Sequence, residues 1–422
     1  MKQNILIKPK KLSGNLKAIP SKSYGHRMII LSAISQKPSQ LILDEYNEDL
    51  KATLGCIEEL GGRYEILDNI LRIYPIKKRK QKPILNAKES GSTLRFIIPI
   101  ATAIYECNKI VAEGSLNNRP VEELTKALEK KGVYFKNHIL PLETSGKFTG
   151  GEIEIEGNIS SQYISGILLS APLFKEDTRI KLRSGLESKS YVDITIDVLE
   201  NYGINVTKYD NGFFVKGNQV LNPREEMIVE GDWSNASPFL IAGALGGLIS
   251  LTGLNFKSVQ GDKVILEILK EFGAKVEVTN RVLVTSKDKK PFKMDINEFP
   301  DLLPVLSILS CGAEGKSIFT GCHRLKLKES DRLNNTKRLI NCLGGNAEVI
   351  NDALIVHGKG FLEGGKVQGF NDHRMVMAAS IASVIAKNEI EIEGAEAINK
   401  SYPRFFKDLK KLGGDLIDFD YR

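Results

Sequence analysis

The stretch Ile57-Glu58-Glu59-Leu60-Gly61 ends a charged, apolar-periodic helix on a glycine, and an alternating segment follows at residues 64–67. This succession of helix, glycine and hairpin occurs six times, with the glycine at Gly61, Gly132, Gly203, Gly273, Gly344 and Gly413. Successive glycines are 71, 71, 70, 71 and 69 residues apart. Unrelated helix ends would not keep such intervals, so the chain consists of six copies of a unit of about 70 residues. Each glycine should have the left-handed backbone conformation that ends a helix.

A hairpin is expected after each of these glycines. Residues 64–67 and 70–73 alternate on either side of the turn residues Asp68-Asn69, and similar pairs of segments follow the next four glycines. Only nine residues follow Gly413, which is enough for one strand at 415–419. Its partner is expected to be the N-terminal strand, residues 4–8, which would bring the two chain ends together.

A second, more apolar helix lies in the other half of each unit. These helices are predicted at 23–34, 92–104, 161–173, 234–245, 301–309 and 372–385, and each begins on Ser or Asp, the preferred N-cap residues. Apolar helices that alternate with charged amphipathic ones indicate buried helices surrounded by strands and outer helices. The predicted fold class is therefore α/β (α+β), built from six β-α-β-α-β-β repeats.

Two lobes of three repeats are the natural division, because single cores stop growing at about 250–300 residues. The predicted N-terminal lobe covers residues 20–229, and the C-terminal lobe covers 1–19 and 230–422. A cleft between two lobes is a common place for a substrate site.

The composition narrows the class of protein. The hydrophobic fraction of 42% suffices for globular cores, and the five cysteines include no Cys-x-x-Cys pair. We therefore expect reduced thiols, no metal site, no cofactor and a cytoplasmic location. The longest apolar stretch, 239–251, is too short to span a bilayer, so no membrane association is expected.

The net charge of +7 matters less than where the basic residues lie. Several of them recur at predicted helix starts, including Lys22, Arg119, Arg332 and Arg374. The positive end of the helix dipole lies at the N-terminus and repels these cations, whereas an anionic ligand would be attracted both by the cations and by the dipole. This pattern predicts a site for phosphates or carboxylates.

Seven segments of the sequence are specific enough to be compared with the motifs of a known family. They are Ser21-Lys22-Ser23-Tyr24-Gly25-His26-Arg27, Gly91-Ser92-Thr93-Leu94-Arg95, Asn118-Arg119-Pro120, Ser160-Ser161-Gln162-Tyr163, Lys328-Glu329-Ser330-Asp331-Arg332-Leu333, Asn371-Asp372-His373-Arg374-Met375 and Lys400-Ser401-Tyr402-Pro403. Together, in this order, they resemble the 5-enolpyruvylshikimate-3-phosphate synthase family. The resemblance implies a two-lobed inside-out α/β barrel that acts as a monomer. It also implies transfer of the enolpyruvyl group of phosphoenolpyruvate to the 5-hydroxyl of shikimate 3-phosphate, with release of phosphate.

The resemblance also implies the residues that bind each substrate. Shikimate 3-phosphate would contact Lys22, Ser23, Arg27, Ser160, Ser161, Gln162, Ser188, Tyr191, Asp301, Arg324 and Lys328. Phosphoenolpyruvate would contact Lys22, Gly91, Arg119, Gln162, Arg332, Arg374 and Lys400. Asp301 would be the general base for the 5-hydroxyl, and Glu329 would move the proton at the methylene carbon, assisted by Lys22. Glyphosate would compete with phosphoenolpyruvate beside Gly91.

Simpler interpretations exist for several of these residues. Ser23, Ser92, Ser161 and Asp301 could be ordinary N-caps, as could Asp49 and Asp262, which receive no other role. Arg27 could be a solvated helix residue, Tyr191 a core residue, and His373 a packing residue.

Two other functions remain open at this point. A related transferase, acting on UDP-N-acetylglucosamine, uses a loop cysteine before its Arg-Pro motif, but residues 113–120 contain no cysteine here. A non-catalytic scaffold for anions or nucleic acid would need interleaved aromatic residues, which the basic segments lack. Arg324, Glu89 and Phe96 depart from the pattern of the family that the chain resembles.

Overall fold

The computed structural model describes residues 3–77 and 81–419. Its strands are, in chain order, β1 (Asn4–Ile7), β2 (Ser13–Lys17), β3 (Ser39–Ile42), β4 (Arg63–Leu67), β5 (Ile70–Tyr74), β6 (Ile84–Asn86), β7 (Asn108–Val111), β8 (Val133–Phe135), β9 (Leu142–Gly146), β10 (Gly151–Ile155), β11 (Thr178–Leu182), β12 (Val206–Tyr209), β13 (Gly212–Val215), β14 (Glu226–Ile228), β15 (Leu248–Thr252), β16 (Lys275–Val278), β17 (Val282–Thr285), β18 (Lys293–Asp295), β19 (Glu314–Thr320), β20 (Ala347–Ile350), β21 (Ala353–Lys359), β22 (Gly365–Gln368), β23 (Ile390–Glu393) and β24 (Leu416–Phe419).

The α-helices are α1 (Lys22–Ile34), α2 (Glu48–Glu59), α3 (Gly91–Ile104), α4 (Glu122–Glu129), α5 (Ser161–Ser170), α6 (Lys189–Asn201), α7 (Trp233–Leu245), α8 (Ile265–Glu271), α9 (Leu303–Cys311), α10 (Arg332–Cys342), α11 (His373–Ala382) and α12 (Phe405–Lys411). None of the helices in the described residues is long and apolar enough to cross a membrane.

The contacts divide the chain into two compact units. The N-terminal unit comprises residues 20–230, and the C-terminal unit comprises residues 1–19 and 231–422. Each unit has its own hydrophobic core. The odd-numbered helices are the most buried in each unit, and α7 is buried along its whole length. The predicted contrast between buried and amphipathic helices is therefore confirmed.

All six repeats form the same four-stranded sheet. The orders are β14-β3-β5-β4, β6-β7-β9-β8 and β10-β11-β13-β12 in the N-terminal unit, and β2-β15-β17-β16, β18-β19-β21-β20 and β22-β23-β1-β24 in the C-terminal unit. In five of the sheets the first two strands in these orders are parallel, and the last two form an antiparallel hairpin. A buried helix connects the two parallel strands, except in the two sheets where one of these strands comes from a distant part of the chain. The sixth has the same parallel pair, β22 and β23, but its last two strands come from opposite ends of the chain.

Three strands reach their sheets from far away in sequence. β1 lies between β23 and β24, with Asn4 opposite Phe419, and supplies the strand that the sixth hairpin lacks. β2 pairs in parallel with β15, and β14 pairs in parallel with β3. These pairings close each unit on itself.

The six repeat glycines have the conformation that the sequence predicts. Their φ angles are 95°, 86°, 81°, 95°, 76° and 93° for Gly61, Gly132, Gly203, Gly273, Gly344 and Gly413. A residue with a Cβ is strained in this region, so the glycine period is a requirement of the backbone.

The predicted N-caps of the buried helices are mostly wrong by one or two residues. The side chains that accept the capping bond belong to Ser21, Ser90, Ser160 and Asp232, while Asp372 caps α11 as expected. Ser23, Ser92 and Ser161 therefore do not cap their helices. Asp301 lies in a single turn of 3-10 helix, Pro300–Leu302, and its side chain makes no capping bond.

Candidate active site

The start of α1 brings Lys22 to a carboxylate of α2. Lys22 Nζ lies 2.8 Å from Asp49 Oδ2, and both side chains are largely buried. The cap of α2 is Asn47, whose side chain accepts from the backbone N–H of Leu50. The capping interpretation of Asp49 is therefore wrong, since its carboxylate pairs with Lys22 instead.

Arg27 is buried, which contradicts its interpretation as a solvated residue. Its guanidinium donates to Thr195 Oγ1 at 2.7 Å, to the Ser23 carbonyl at 2.7 Å, to the Tyr191 carbonyl at 2.9 Å and to Ser165 Oγ at 3.3 Å. Burial lowers the pKa of Arg27 to about 9. Four of its five N–H groups thus have acceptors in this part of the chain, which leaves one N–H of Nη1 for a ligand.

The next predicted residues lie at the start of α6. Ser188 is buried and has φ 51° and ψ 47°, a conformation that costs a serine on the order of 1 kcal/mol. The backbone N–H of Tyr191 donates to the Ser188 carbonyl at 3.2 Å. Tyr191 is only partly buried and packs against the N-terminal core, so the core interpretation is half right.

A second group of polar side chains, here called the Gly91 cluster, comprises Gly91, Ser92, Arg95, Arg119 and Gln162. Gln162 accepts a hydrogen bond from Arg95 Nη1 at 3.0 Å and donates one to Ser92 Oγ at 2.9 Å. A Cβ added to Gly91 would lie 2.6 Å from Nη1 of both Arg119 and Arg95. The two guanidinium groups therefore flank the backbone of Gly91 at the N-terminus of α3, an arrangement suited to an anion.

Arg95 was missing from the predicted ligand set. It is buried on α3, one turn after Gly91, and its Nη1 also donates to the Gly91 carbonyl at 3.3 Å. Two signals in the sequence could have included it: its place in the segment Gly91-Ser92-Thr93-Leu94-Arg95 and its basic charge near a predicted helix start.

The C-terminal unit contains a compact ionic group, here called the Asp301 cluster. Its members are Asp301, Lys328, Glu329, Arg332, Asp372 and Arg374. The Asp301 carboxylate lies 2.7 Å from Arg332 Nη1, 3.4 Å from Lys328 Nζ and 3.5 Å from Arg374 Nη2. The capping interpretation of Asp301 is wrong, because the carboxylate is the meeting point of three cations.

Burial alone would raise the pKa of Asp301, but Lys328, Arg332 and Arg374 outweigh burial and hold it well below its ordinary value. Burial lowers the pKa of Lys328, although Asp301 opposes that shift. The three cations therefore favour the ionised form of Asp301, and partial burial disfavours the charged form of Lys328 beside it.

Arg332 is the centre of the cluster. It donates to Asp301, to Glu329 Oε2 at 2.6 Å and to Asp372 Oδ2 at 2.8 Å. Burial disfavours its charge, but these three carboxylates raise the pKa of Arg332 well above its ordinary value. Asp372 also accepts from the backbone N–H of Arg374 at 2.9 Å. It thus fixes both arginines, a role that the sequence did not reveal.

Two predicted residues lie at the edge of this unit's site. Arg324 donates through Nη2 to the Asn297 carbonyl and to Asn297 Oδ1, at 3.0 Å each, and its charge contributes to lowering the pKa of Lys328. Lys400 donates to the Asn371 carbonyl at 2.8 Å. Its neighbour Ser401 contacts Asn235 Oδ1, which also accepts from Arg374.

Asp262 is a further buried carboxyl of this unit. It lies in the 3-10 turn Gly261–Val264 and its side chain caps no helix, so its capping interpretation is also wrong. Burial first, and then Asp301 and Asp232, raise the pKa of Asp262 to about 7, against the opposing effects of Ser234 and Arg374.

The geometry thus offers carboxylates for proton transfer and cations for two anionic substrates. Comparison with known proteins agrees with that chemistry. The family model of EPSP synthase (3-phosphoshikimate 1-carboxyvinyltransferase) matches residues 6–409.

The most similar curated relatives include the 3-phosphoshikimate 1-carboxyvinyltransferases of Clostridium acetobutylicum and Clostridium novyi. The first is 38% identical over 428 residues and the alignment covers 98% of both chains. The second is 36% identical over 430 residues, covering 99% of this chain and 98% of the relative.

Among solved structures, an EPSP synthase from Acinetobacter baumannii has a TM-score of 0.84 at 23% identity, covering 99% of this chain and 100% of that one. The enolpyruvyl transferase NikO from Streptomyces tendae has a TM-score of 0.80 at 16% identity, with both chains fully covered. These structural likenesses confirm the predicted fold. The family match and the full-length relatives together place this chain in the EPSP synthase (3-phosphoshikimate 1-carboxyvinyltransferase) family.

Proposed function

We propose that the Asp301 cluster and the Gly91 cluster perform the reaction of this family. The chain transfers the enolpyruvyl group of phosphoenolpyruvate to the 5-hydroxyl of shikimate 3-phosphate in the shikimate pathway, and phosphate is released. We assign substrate binding and proton transfer in this reaction to the residues of these two clusters and of the helix starts near them. The observation that supports it most is the meeting of Lys328, Arg332 and Arg374 at the Asp301 carboxylate.

Phosphoenolpyruvate is assigned to groups that can fork onto a carboxylate or phosphate. These are Lys22, Gly91, Arg119, Gln162, Arg332, Arg374 and Lys400. The two guanidinium groups beside Gly91 favour this placement in the N-terminal unit. Arg95 is added as the residue that orients Gln162.

Shikimate 3-phosphate is assigned to the hydroxyl-rich helix starts and the cations beside Asp301. These are Lys22, Ser23, Arg27, Ser160, Ser161, Gln162, Ser188, Tyr191, Asp301, Arg324 and Lys328. Because Arg27 has one N–H left, it would make a single hydrogen bond rather than a bidentate one. Ser23 and Ser161 are compatible with ligand binding, since other serines cap their helices.

In the proposed mechanism, Asp301 takes the proton of the 5-hydroxyl as its oxygen attacks the central carbon of phosphoenolpyruvate. Glu329, assisted by Lys22, delivers a proton to the methylene carbon, which gives a tetrahedral intermediate. The Glu329 carboxylate then takes a proton back from the methyl group, the carbon–carbon double bond forms as the bond from carbon to the phosphate oxygen breaks, and the departing phosphate takes up the proton that Asp301 accepted. Arg332 and Arg374 would turn toward the bound anions, and their weaker hold on Asp301 would raise its pKa toward that of an effective base.

Asp301→Asn tests the base. This variant should lose turnover, measured as phosphate release, while calorimetry still detects binding of shikimate 3-phosphate. The matched control is Asp352→Asn, which removes a carboxylate paired with Lys326 at an exposed position and should leave turnover unchanged. A near wild-type rate for Asp301→Asn would remove Asp301 from the mechanism.

Arg119→Ala tests the placement of phosphoenolpyruvate. It should weaken phosphoenolpyruvate binding by on the order of 2–5 kcal/mol, because the partner charge loses its counterion. Binding of shikimate 3-phosphate should change much less. Equal losses for both substrates would contradict the assignment.

We further propose that the protein is a cytoplasmic monomer. Its cysteines in the described residues are free thiols, three buried and two exposed, as in a reducing compartment. Light scattering after size exclusion at micromolar concentration should give a mass near 46.8 kDa, and twice that mass would contradict the proposal.

A further inference from the structure

Four buried polar side chains from α1, α2 and the start of α3 form a continuous line in the N-terminal unit. His26 Nδ1 lies 2.7 Å from Thr53 Oγ1, which lies 2.7 Å from Thr93 Oγ1, which lies 2.8 Å from Ser90 Oγ. Their exposed fractions are 0% for the first three and 1% for Ser90. We call this line the hydroxyl relay. None of its members belongs to the substrate-binding sets assigned above.

The direction of the relay follows from Thr93: when its hydroxyl donates to Ser90 Oγ, it must accept from Thr53. Burial, together with Lys22 and Arg27, lowers the pKa of His26 well below its ordinary value, so the ring is neutral and one nitrogen donates. At the other end the Asp49 carbonyl, which can only accept, lies 3.3 Å from Thr93 Oγ1. Donation from His26 Nδ1–H to Thr53, and from Thr53 to Thr93, leaves the Thr93 hydroxyl to donate onward. In that direction each threonine hydroxyl both accepts and donates.

The relay ends at two groups that matter for the site. Ser90 is the N-cap of α3, and its Oγ accepts from the backbone N–H and from the hydroxyl of Thr93. The single hydroxyl proton of Thr93 is therefore shared between Ser90 Oγ, at 2.8 Å, and the Asp49 carbonyl, at 3.3 Å, while the Asp49 carboxylate accepts from Lys22. Thr93 therefore connects the first turn of α3, where Gly91 lies, to the residue that holds Lys22.

We propose that Thr93 is a positioning residue for phosphoenolpyruvate. Its hydroxyl fixes the first turn of α3, and with it the Gly91 backbone and the two flanking guanidinium groups, without touching the substrate. This inference rests on the proposed placement of phosphoenolpyruvate at Gly91 and Arg119. Because the proposed proton-transfer groups Asp301 and Glu329 are not members of the relay, its loss should act on substrate binding rather than on the chemical step.

The test is Thr93→Val, which replaces the hydroxyl by a methyl group of similar size. We expect KM for phosphoenolpyruvate to rise about tenfold, the effect of losing roughly one buried hydrogen bond, with kcat and KM for shikimate 3-phosphate within about twofold. Thr93→Ser keeps the hydroxyl and should restore most of the affinity.

Thr102→Val is the matched control. Thr102 is also fully buried on α3, but its hydroxyl bonds only to the Ile98 and Pro99 carbonyls of its own helix. It should leave both KM values unchanged. If Thr93→Val raises KM for phosphoenolpyruvate no more than Thr102→Val does, or raises both KM values equally, the inference is overturned.

Two measurements keep the inference testable if Thr93→Val does not fold. Thr53→Val breaks the relay one step earlier and should raise KM for phosphoenolpyruvate with the same selectivity; no change would reject the relay. Nitrogen NMR of histidine-labelled wild type should show His26 protonated on Nδ1, and the opposite tautomer would equally reject it.

Arg119→Ala separates this inference from the proposed function. If Arg119→Ala weakens phosphoenolpyruvate binding and Thr93→Val does not, only the relay is rejected. If Thr93→Val acts selectively and Arg119→Ala has no effect, the assignment of Arg119 fails and the relay is supported through Gly91 alone.

Discussion

Gly91 is the residue at which a substitution should best distinguish the binding of phosphoenolpyruvate from that of glyphosate. A Cβ there would meet Arg119 and Arg95 at 2.6 Å, so one or both guanidinium groups must move. Gly91→Ala should therefore raise KM for phosphoenolpyruvate and raise the inhibition constant of glyphosate, the longer anion, by a larger factor. Inhibition measured against varied phosphoenolpyruvate checks this.

Gly55→Ala is the control for Gly91→Ala. Gly55 is also helical, and nothing lies within 4 Å of a Cβ added to it. This variant should keep wild-type inhibition. Unchanged glyphosate sensitivity in Gly91→Ala would place the inhibitor away from Gly91.

Asp262 should make stability depend on pH. Its folded pKa of about 7 lies above the ordinary value of 3.8, so its favourable contribution is complete below about pH 4 and is lost as pH rises through 7. Asp262→Asn removes this loss and should stabilise the protein more at pH 8 than at pH 5, by at most about 3 kcal/mol.

Urea denaturation of wild type and Asp262→Asn at both pH values measures that difference. Asp352→Asn, at an exposed ion pair, should show no comparable change between pH 5 and pH 8. A stability difference that is the same at both pH values would show that Asp262 titrates normally.

The residues that the sequence could not place have partners far along the chain. Lys22 and Asp49 are 27 residues apart, and Arg332 and Asp372 are 40 apart. Motif resemblance identified the basic members of these pairs. It could not show that Asp49 and Asp372 hold them, because only the folded chain brings the partners together.

At the scale of elements, several buried helices have two neighbouring residues that could serve as the N-cap, and only one of them does. The segment Ser90-Gly91-Ser92 offers two serines, and Ser90 has the extended backbone conformation that a cap requires. Ser90→Ala should lower the free energy of unfolding by about 1–2 kcal/mol, because the Thr93 N–H and hydroxyl lose their acceptor.

Ser92→Ala is the paired measurement by urea denaturation. It removes a hydrogen bond from Gln162 but leaves the cap, so it should cost less than half as much as Ser90→Ala. The reverse order would mean that Ser92 caps α3 after all.

The period of glycines predicted helices and hairpins well, because a left-handed helix end can be recognised from one residue type. The exact caps could not be predicted, since Ser or Asp occurs twice within three residues at several helix starts. β2 also escaped prediction. Its sequence Ser-Gly-Asn-Leu-Lys has a single apolar residue, and only pairing with β15 makes it a strand.

At the scale of the whole molecule, the two units differ in how far they depend on distant strands. All twelve strands of the N-terminal sheets lie within residues 20–230, whereas the C-terminal sheets need β1 and β2. Residues 20–230 expressed alone should therefore unfold cooperatively in urea, and residues 231–422 alone should not.

Appending residues 1–19 after residue 422 through a short linker should restore cooperative unfolding to the second fragment. The restored strand can reach its place because Asn4 pairs with Phe419. If residues 231–422 were as stable without this extension as with it, β1 and β2 would be dispensable.

The return of β1 and β2 to the C-terminal unit also sets an order of events during synthesis. These strands leave the ribosome well before their partners, because β15, β23 and β24 are made more than 200 residues later. At about 5–20 residues per second, the N-terminal unit has on the order of ten seconds or more to fold while two unpaired strands wait at its beginning. Ile5 and Ile7, which are buried in the folded sheet, should be exposed in the nascent chain throughout this interval, so a chaperone that binds short apolar segments would have its longest opportunity at β1.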